Sequence, residues 1–147
     1  LDVGTTVRIE GPFGHFSYLR NNNKKQVWIA GGIGITPFLN MARDIANRKP
    51  DGYEIDLYYS VRDDSEMVFK DEFSEIEKEY TGMRFIPFLT NKSGFLTAEK
   101  VAEHSGGISG KDVYLCGPPV MMTSLIQQFR NGGLPKARIH AEEFKLL

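Results

Sequence analysis

The stretch Gln26-Val27-Trp28-Ile29-Ala30-Gly31-Gly32-Ile33-Gly34-Ile35-Thr36-Pro37 decides the fold. Its apolar run from Val27 to Ala30 reads as a buried strand. Gly31, Gly32 and Gly34 let the backbone turn sharply and come close to a ligand. Thr36 is a good N-cap, and Pro37 is favoured at the first helical position. A helix starting there points free N–H groups and the positive end of its dipole at whatever sits above the glycines. That is an anion site suited to a pyrophosphate. The strict dinucleotide pattern G-x-G-x-x-G is met at Gly32 and Gly34, but Pro37 stands at its third glycine. The turn alone therefore fits equally a plain strand-to-helix connection.

Working outward, Val7-Arg8-Ile9-Glu10 alternates like a short strand, and Gly11 to Gly14 breaks it. Asn21 to Lys25 is a polar turn before the first core strand. Phe38, Met41, Ala42 and Ile45 recur at helical spacing. Ile55, Leu57 and Tyr59 alternate within a second strand over 53–61. Phe69, Phe73, Ile76 and Tyr80 mark one face of a second helix. Residues 83–89 read as a third strand closed by a turn over 90–94, and Thr97 caps a short helix reaching about His104. Residues 113–116 are a fourth strand. Gly117-Pro118-Pro119 opens a long helix on which Met121, Leu125 and Phe129 share a face. Gly132-Gly133 and Pro135 stop it. Residues 138–144 are a fifth strand. Trp28, Tyr58 and Tyr59 read as core.

Strands alternating with helices predict an α/β fold, a three-layer sandwich with a five-stranded parallel sheet. Ligands of such sheets sit beyond the carboxyl ends of the strands, where strand order reverses. The turns after Ala30, Ser60 and Cys116 should meet there.

Composition narrows the function classes. The 147 residues suffice for one full core. Eighteen basic against nineteen acidic residues give a net charge of −1, with no basic footprint for nucleic acid. No apolar run approaches a membrane span, and no signal peptide is visible. The single cysteine, Cys116, excludes an intrachain disulfide framework. His15, His104 and His140 lack metal-ligand spacing, so no metal site is expected. No G-x-S-x-G elbow is present. A cytoplasmic setting agrees with all of this.

Four segments together resemble the NAD(P)-binding half of the ferredoxin–NADP reductase superfamily. They are Gly31-Gly32-Ile33-Gly34-Ile35-Thr36-Pro37, Tyr59-Ser60-Val61-Arg62, Cys116-Gly117-Pro118-Pro119-Val120-Met121 and Ile139-His140-Ala141-Glu142-Glu143-Phe144. Their order and spacing cover nearly the whole chain. Within the superfamily the chain is most similar to the dehydrogenase portion of ferric reductase and NADPH oxidase-like membrane proteins. It is also similar to the reductase part of flavohaemoglobins. The resemblance implies a Rossmann-like fold. It also implies that residues 1–20 are the last strand and exit segment of a flavin-binding β-barrel, and that 21–147 are the NAD(P)-binding domain. The rest of the barrel would lie N-terminal, and Leu1 in place of Met agrees with a fragment that is inactive without it.

The resemblance implies residue roles. Gly31, Gly32, Gly34, Thr36 and Pro37 carry the cofactor pyrophosphate. Cys116, Gly117 and Pro118 lie beside the nicotinamide, where Cys116 acts by position rather than as a nucleophile. Phe144 stacks on the flavin, and Glu142 tunes charge or proton traffic at the reacting centre. Ser60 and Arg62 read the adenosine ribose. Arg62 favours the 2′-phosphate of NADP over NAD, although Asp63 and Asp64 follow at once. The whole protein would pass a hydride from NAD(P)H to FAD. Single electrons would then go to a membrane haem domain, iron or another one-electron acceptor. A rival reading is a non-catalytic nucleotide-sensing or interaction module that kept the fold.

Overall fold

The computed structural model describes residues 2–11 and 14–143. Its centre is one parallel sheet of β1 (Lys25–Gly31), β2 (Glu54–Val61), β3 (Met83–Leu89), β4 (Asp112–Cys116) and β5 (Ile139–Glu142). The spatial order is β3-β2-β1-β4-β5, and every neighbouring pair is parallel. β1 is buried at every position after Lys25, which fits a central strand covered on both faces. Alternation along β1 sends Trp28 and Ala30 to one core and Val27 and Ile29 to the other.

The helices cover both faces. α1 (Ile35–Arg48) and α2 (Lys70–Glu79) pack on the Trp28 side. Residues 90–93 form one short helical turn, α3 (Thr90–Ser93), in place of the expected polar turn. α4 (Ala98–His104) and α5 (Pro119–Asn131) pack on the Val27 side. The expected three-layer sandwich is the observed one. Thr97 caps α4 by accepting from the Lys100 N–H at 3.2 Å.

Three further local expectations differ. α1 begins at Ile35, after a single 3-10 turn over Gly32–Gly34, so Gly34 rather than Thr36 is its N-cap. The glycines start winding at once, and Gly32 takes a left-handed φ of +51°. Thr36 and Pro37 then fall within the first helical turn, where a missing N–H is harmless. On α5 the buried face is Met122, Leu125 and Phe129, and Met121 is turned toward the strand ends. Finally, residues 7–10 form no strand. A strand needs a ladder partner, none of the described residues pairs with this segment, and Val7 and Ile9 are exposed.

The segment before β1 is nonetheless anchored. Phe16 packs edge-on against Phe38 at 5.5 Å, and Tyr18 donates to Asp44 Oδ2 at 2.7 Å. Gln26, wholly buried, holds the approach. Its amide nitrogen donates to the carbonyls of Tyr18 at 3.0 Å and Asn23 at 2.7 Å, and its oxygen accepts from Trp28 Nε1 at 2.8 Å. Gln26→Leu would leave the Tyr18 carbonyl and the Trp28 N–H without this partner in a buried setting, and loosen the Asn23 turn. We expect it to lower the unfolding free energy by about 2 kcal/mol, read from the midpoint of urea denaturation.

Candidate functional site

Strand order reverses between β1 and β4, so their carboxyl ends part there toward opposite sides. Beyond these ends and that of β2 lies a cleft of about 650 Å³. That volume falls within the range of small-molecule and cofactor pockets. Gly31 and Gly32 form its floor, Ser60 and Arg62 one end, and Pro118 and Met121 a wall. The three turns expected to converge do so.

The cleft exists because two backbones touch beneath it. A Cβ on Gly31 would lie 2.7 Å from Met121 Sδ and 2.8 Å from Pro118 Cδ. A Cβ on Gly117 would lie 3.0 Å from the nitrogen and Cα of Gly31. At Gly34 a Cβ would overlap the Cys116 carbonyl. The turn into α1 at Gly34 therefore sits directly on the end of β4. Gly34, Cys116 and Gly117 form this support below the cleft. Thr36 and Pro37 are not among its lining residues, and the Thr36 hydroxyl donates to the Ile33 carbonyl at 3.1 Å.

At the β2 end, Ser60 is largely buried and Arg62 is exposed. The Arg62 N–H donates to Glu66 Oε2 at 3.2 Å, and Glu66 itself lines the cleft. The two aspartates that follow Arg62 are occupied elsewhere. Asp63 accepts from the hydroxyl of Ser65 and from its N–H at 3.0 Å, bonds that hold its carboxyl below the usual range. Asp64 pairs with Lys70 at 2.6 Å. The carboxylate facing the cleft is thus Glu66, which pattern reading missed. Phe95, 85% exposed, and Val120, 83% exposed, rim the same cleft. Phe95 follows a Lys-Ser-Gly turn, and an aromatic in so polar a turn was its one sequence signal.

Cys116 closes β4 with no exposed surface, and neither it nor Glu142 lines the cleft. Its register neighbours are Ala30 on β1 and Glu142 on β5. Burial pushes the thiol up to about 11, and the Glu142 charge adds to the shift. The structure thus brings Cys116 and Glu142 together. Gly14 also approaches here, since a Cβ on it would lie 3.9 Å from Glu142 Oε1. Phe144 lies outside the described residues. His104 Nδ1 lies 2.7 Å from the Lys100 carbonyl, and His140 lies beside Asp112. Among the described residues, no three His, Cys, Asp or Glu side chains converge as a metal site. Among them too, no helix is long and apolar enough to cross a membrane.

A parallel sheet with a glycine-floored cleft at its crossover defines a dinucleotide-binding module. Residues 28–127 match the oxidoreductase NAD-binding domain, and the chain belongs to that family. It is 34% identical to NADH-cytochrome b5 reductase 1 of Aspergillus terreus, covering 94% of this chain and 51% of that protein. It is 32% identical to the reductase subunit of an aromatic O-demethylase from Amycolatopsis, over 98% of this chain and 45% of the relative. The chain thus spans about half the length of these curated relatives. Among solved structures, the cytochrome b5 reductase domain of Ulva prolifera nitrate reductase superposes with a TM-score of 0.79 at 25% identity. That match covers 98% of this chain and 61% of the other. An Amycolatopsis cytochrome P450 reductase gives 0.75 at 28% identity, covering 91% of this chain and 42% of its own. The NAD-binding family agrees with the NAD(P)-binding half of the resemblance drawn from the sequence.

Proposed function

We propose that this chain is the NAD(P)H-binding half of a flavoprotein reductase and holds the nicotinamide beyond the carboxyl ends of β4 and β5, over Cys116 and Glu142. The observation that carries this reading is the joining of two features at the carboxyl ends of the neighbouring strands β1 and β4. One is a floor of glycines open to a pyrophosphate. The other is a buried neutral thiol next to a carboxylate. A bound nicotinamide would supply a hydride, and a flavin held mainly by an N-terminal barrel would accept it and release single electrons.

The chain's own groups have definite tasks. Gly31 and Gly32 leave backbone N–H groups and the α1 dipole open to the phosphates. Gly117 lets the β4 end approach closely, and Cys116 packs beneath it without a charge near neutral pH. Glu142 sets the charge beside that thiol. Phe95 and Val120 offer a flat apolar slot for an adenine. Residues 1–20 belong to the flavin-domain side of the boundary. The one-electron acceptor would be a haem or iron centre, in line with ferric reductase and NADPH oxidase-like proteins.

Cofactor choice turns on Arg62 and Glu66. Arg62 alone would favour a 2′-phosphate, but Glu66 faces the same space and opposes a second negative charge. The names of the cytochrome b5 reductases, which specify NADH, support the same tilt. Calorimetric titration with NAD⁺ and NADP⁺ tests both points. We expect NAD⁺ to bind at least as tightly as NADP⁺, and Glu66→Gln to raise NADP⁺ affinity about tenfold by removing one close like charge. Arg62→Ala should weaken NADP⁺ selectively. Failure of both nucleotides to bind would overturn the reading of the cleft.

A further inference from the structure

Below the cysteine end, the beginnings of β4 and β5 meet the segment entering β1 around one buried carboxylate. Asp112 opens β4, and its side chain is only 6% exposed. Asn23 Nδ2 donates to its Oδ1 at 2.7 Å, and Asn21 Nδ2 to its Oδ2 at 3.2 Å. Arg138 Nη1 lies 3.3 Å from Oδ1, and His140 Nε2 lies 2.9 Å from Oδ2. Arg138 and Asn23 each donate to the Gly110 carbonyl as well, both at 2.8 Å. Three stretches of chain far apart in sequence are joined here.

The same His140 Nε2 is 2.9 Å from Asn21 Nδ2. One ring nitrogen cannot both donate to Asp112 and accept from Asn21. A bare Nε2 would set its lone pair against the carboxylate oxygen. Asn21 already has Asp112 as its acceptor. The tautomer that avoids this repulsion carries the proton on Nε2 and donates it to Asp112. The face of the His140 ring is held too, by Tyr114 at 4.5 Å between centroids, and Tyr114 packs against Phe16 at 5.6 Å.

We propose that His140, held by Asp112, is a positioning residue that seats β5 and thereby sets Glu142 beside Cys116. β5 is four residues long and pairs, among the described residues, with β4 alone. So short an edge strand has little of its own to fix it. Tyr114 and His140 are register partners, and so are Cys116 and Glu142 two residues further on. Residues i and i+2 of a strand share a face, so the anchored imidazole and the Glu142 side chain lie on one side. The inference rests on the proposed reading of Cys116 and Glu142 as the place over which the nicotinamide is held. Its test needs no cofactor.

The test compares the wild-type chain with His140→Leu and His140→Gln. Nitrogen-15 spectra of the imidazoles should show a protonated Nε2 at His140 at neutral pH. Amide hydrogen exchange in residues 139–142 should quicken about tenfold or more in His140→Leu, while β1 and β2 stay unchanged, because losing a buried hydrogen bond opens the strand locally. The Cβ carbon resonance of the single cysteine should shift with it. His140→Gln keeps an N–H for Asp112 and should restore both readings. If His140→Leu does not fold, Asp112→Asn carries the same comparison. A bare Nε2, unchanged exchange at β5, or a uniform rise across the sheet would overturn the proposal. Failure of nucleotide binding would instead sink the functional reading and leave these results standing.

Discussion

Gly34→Ala is expected to destabilise the domain by about 3 kcal/mol or more, at the upper end of what overpacking costs. The added methyl would overlap the Cys116 carbonyl and stand 2.7 Å from the Gly117 nitrogen. Both are backbone, and both belong to the junction of two central strands, so neither can swing aside as a side-chain tip would. Relief requires α1 to lift from the end of β4, which opens the floor of the cleft. Gly32→Ala is the control. A Cβ on Gly32 would meet nothing within 4 Å, but the φ of +51° there is left-handed. That substitution should cost about 1 kcal/mol, the ordinary penalty for an L-residue in this region. Urea denaturation of both variants checks the contrast. Equal losses would mean that backbone conformation, rather than contact between α1 and β4, is what the glycines serve. Nucleotide titration of Gly34→Ala should also show weakened binding at temperatures where the fold persists.

The same pair of glycines shows how far a sequence can be read. That residues 31–34 turn a strand into a helix was legible, because glycine clusters after apolar runs have few other uses. Which glycine meets which atom was not, since the contact between Gly34 and Cys116 joins residues distant in the chain. Local signals likewise placed the cap at Thr36, a good capping residue in isolation. Tertiary contact between the two turns moved the helix start to Ile35. The five strands were readable from alternation and turn residues, and their parallel order followed from the intervening helices. The strand expected over 7–10 shows the opposite case, since alternation describes a willing strand and pairing makes an actual one. At the cleft, Arg62 was visible as a charge after a strand. Glu66 was not, because only the turn over 64–66 brings its carboxylate back to the Arg62 N–H. Asp112 and its ring of donors were equally hidden, since their partners come from three separate stretches.

Cys116 should resist alkylation by iodoacetamide at pH 8 at least about 100-fold more than the same chain unfolded in urea. Only the thiolate reacts, and each unit of pKa is a factor of ten in its population well below the pKa. Burial, with Glu142 adding to it, raises the thiol from 9.0 to about 11. Lack of exposed surface slows the reaction further. The single cysteine makes the reading unambiguous. The sign of the linked stability effect follows. The folded state holds this proton more firmly than the unfolded state, so the contribution is complete below pH 9. It is lost as pH rises through 11, by about 2–3 kcal/mol for a two-unit shift. Buried tyrosines such as Tyr114, pushed up to about 12 chiefly by burial, act in the same direction at higher pH. The alkylation rate therefore isolates Cys116 where alkaline unfolding does not. Glu142→Gln should speed alkylation only modestly, because burial is the larger cause. A rate at pH 8 equal to that of the unfolded chain would mean an accessible sulfur that ionises as readily as a free thiol. Such a sulfur would be open to reagents and free to ionise as pH rises, where the proposed role requires a buried neutral group beneath the nicotinamide.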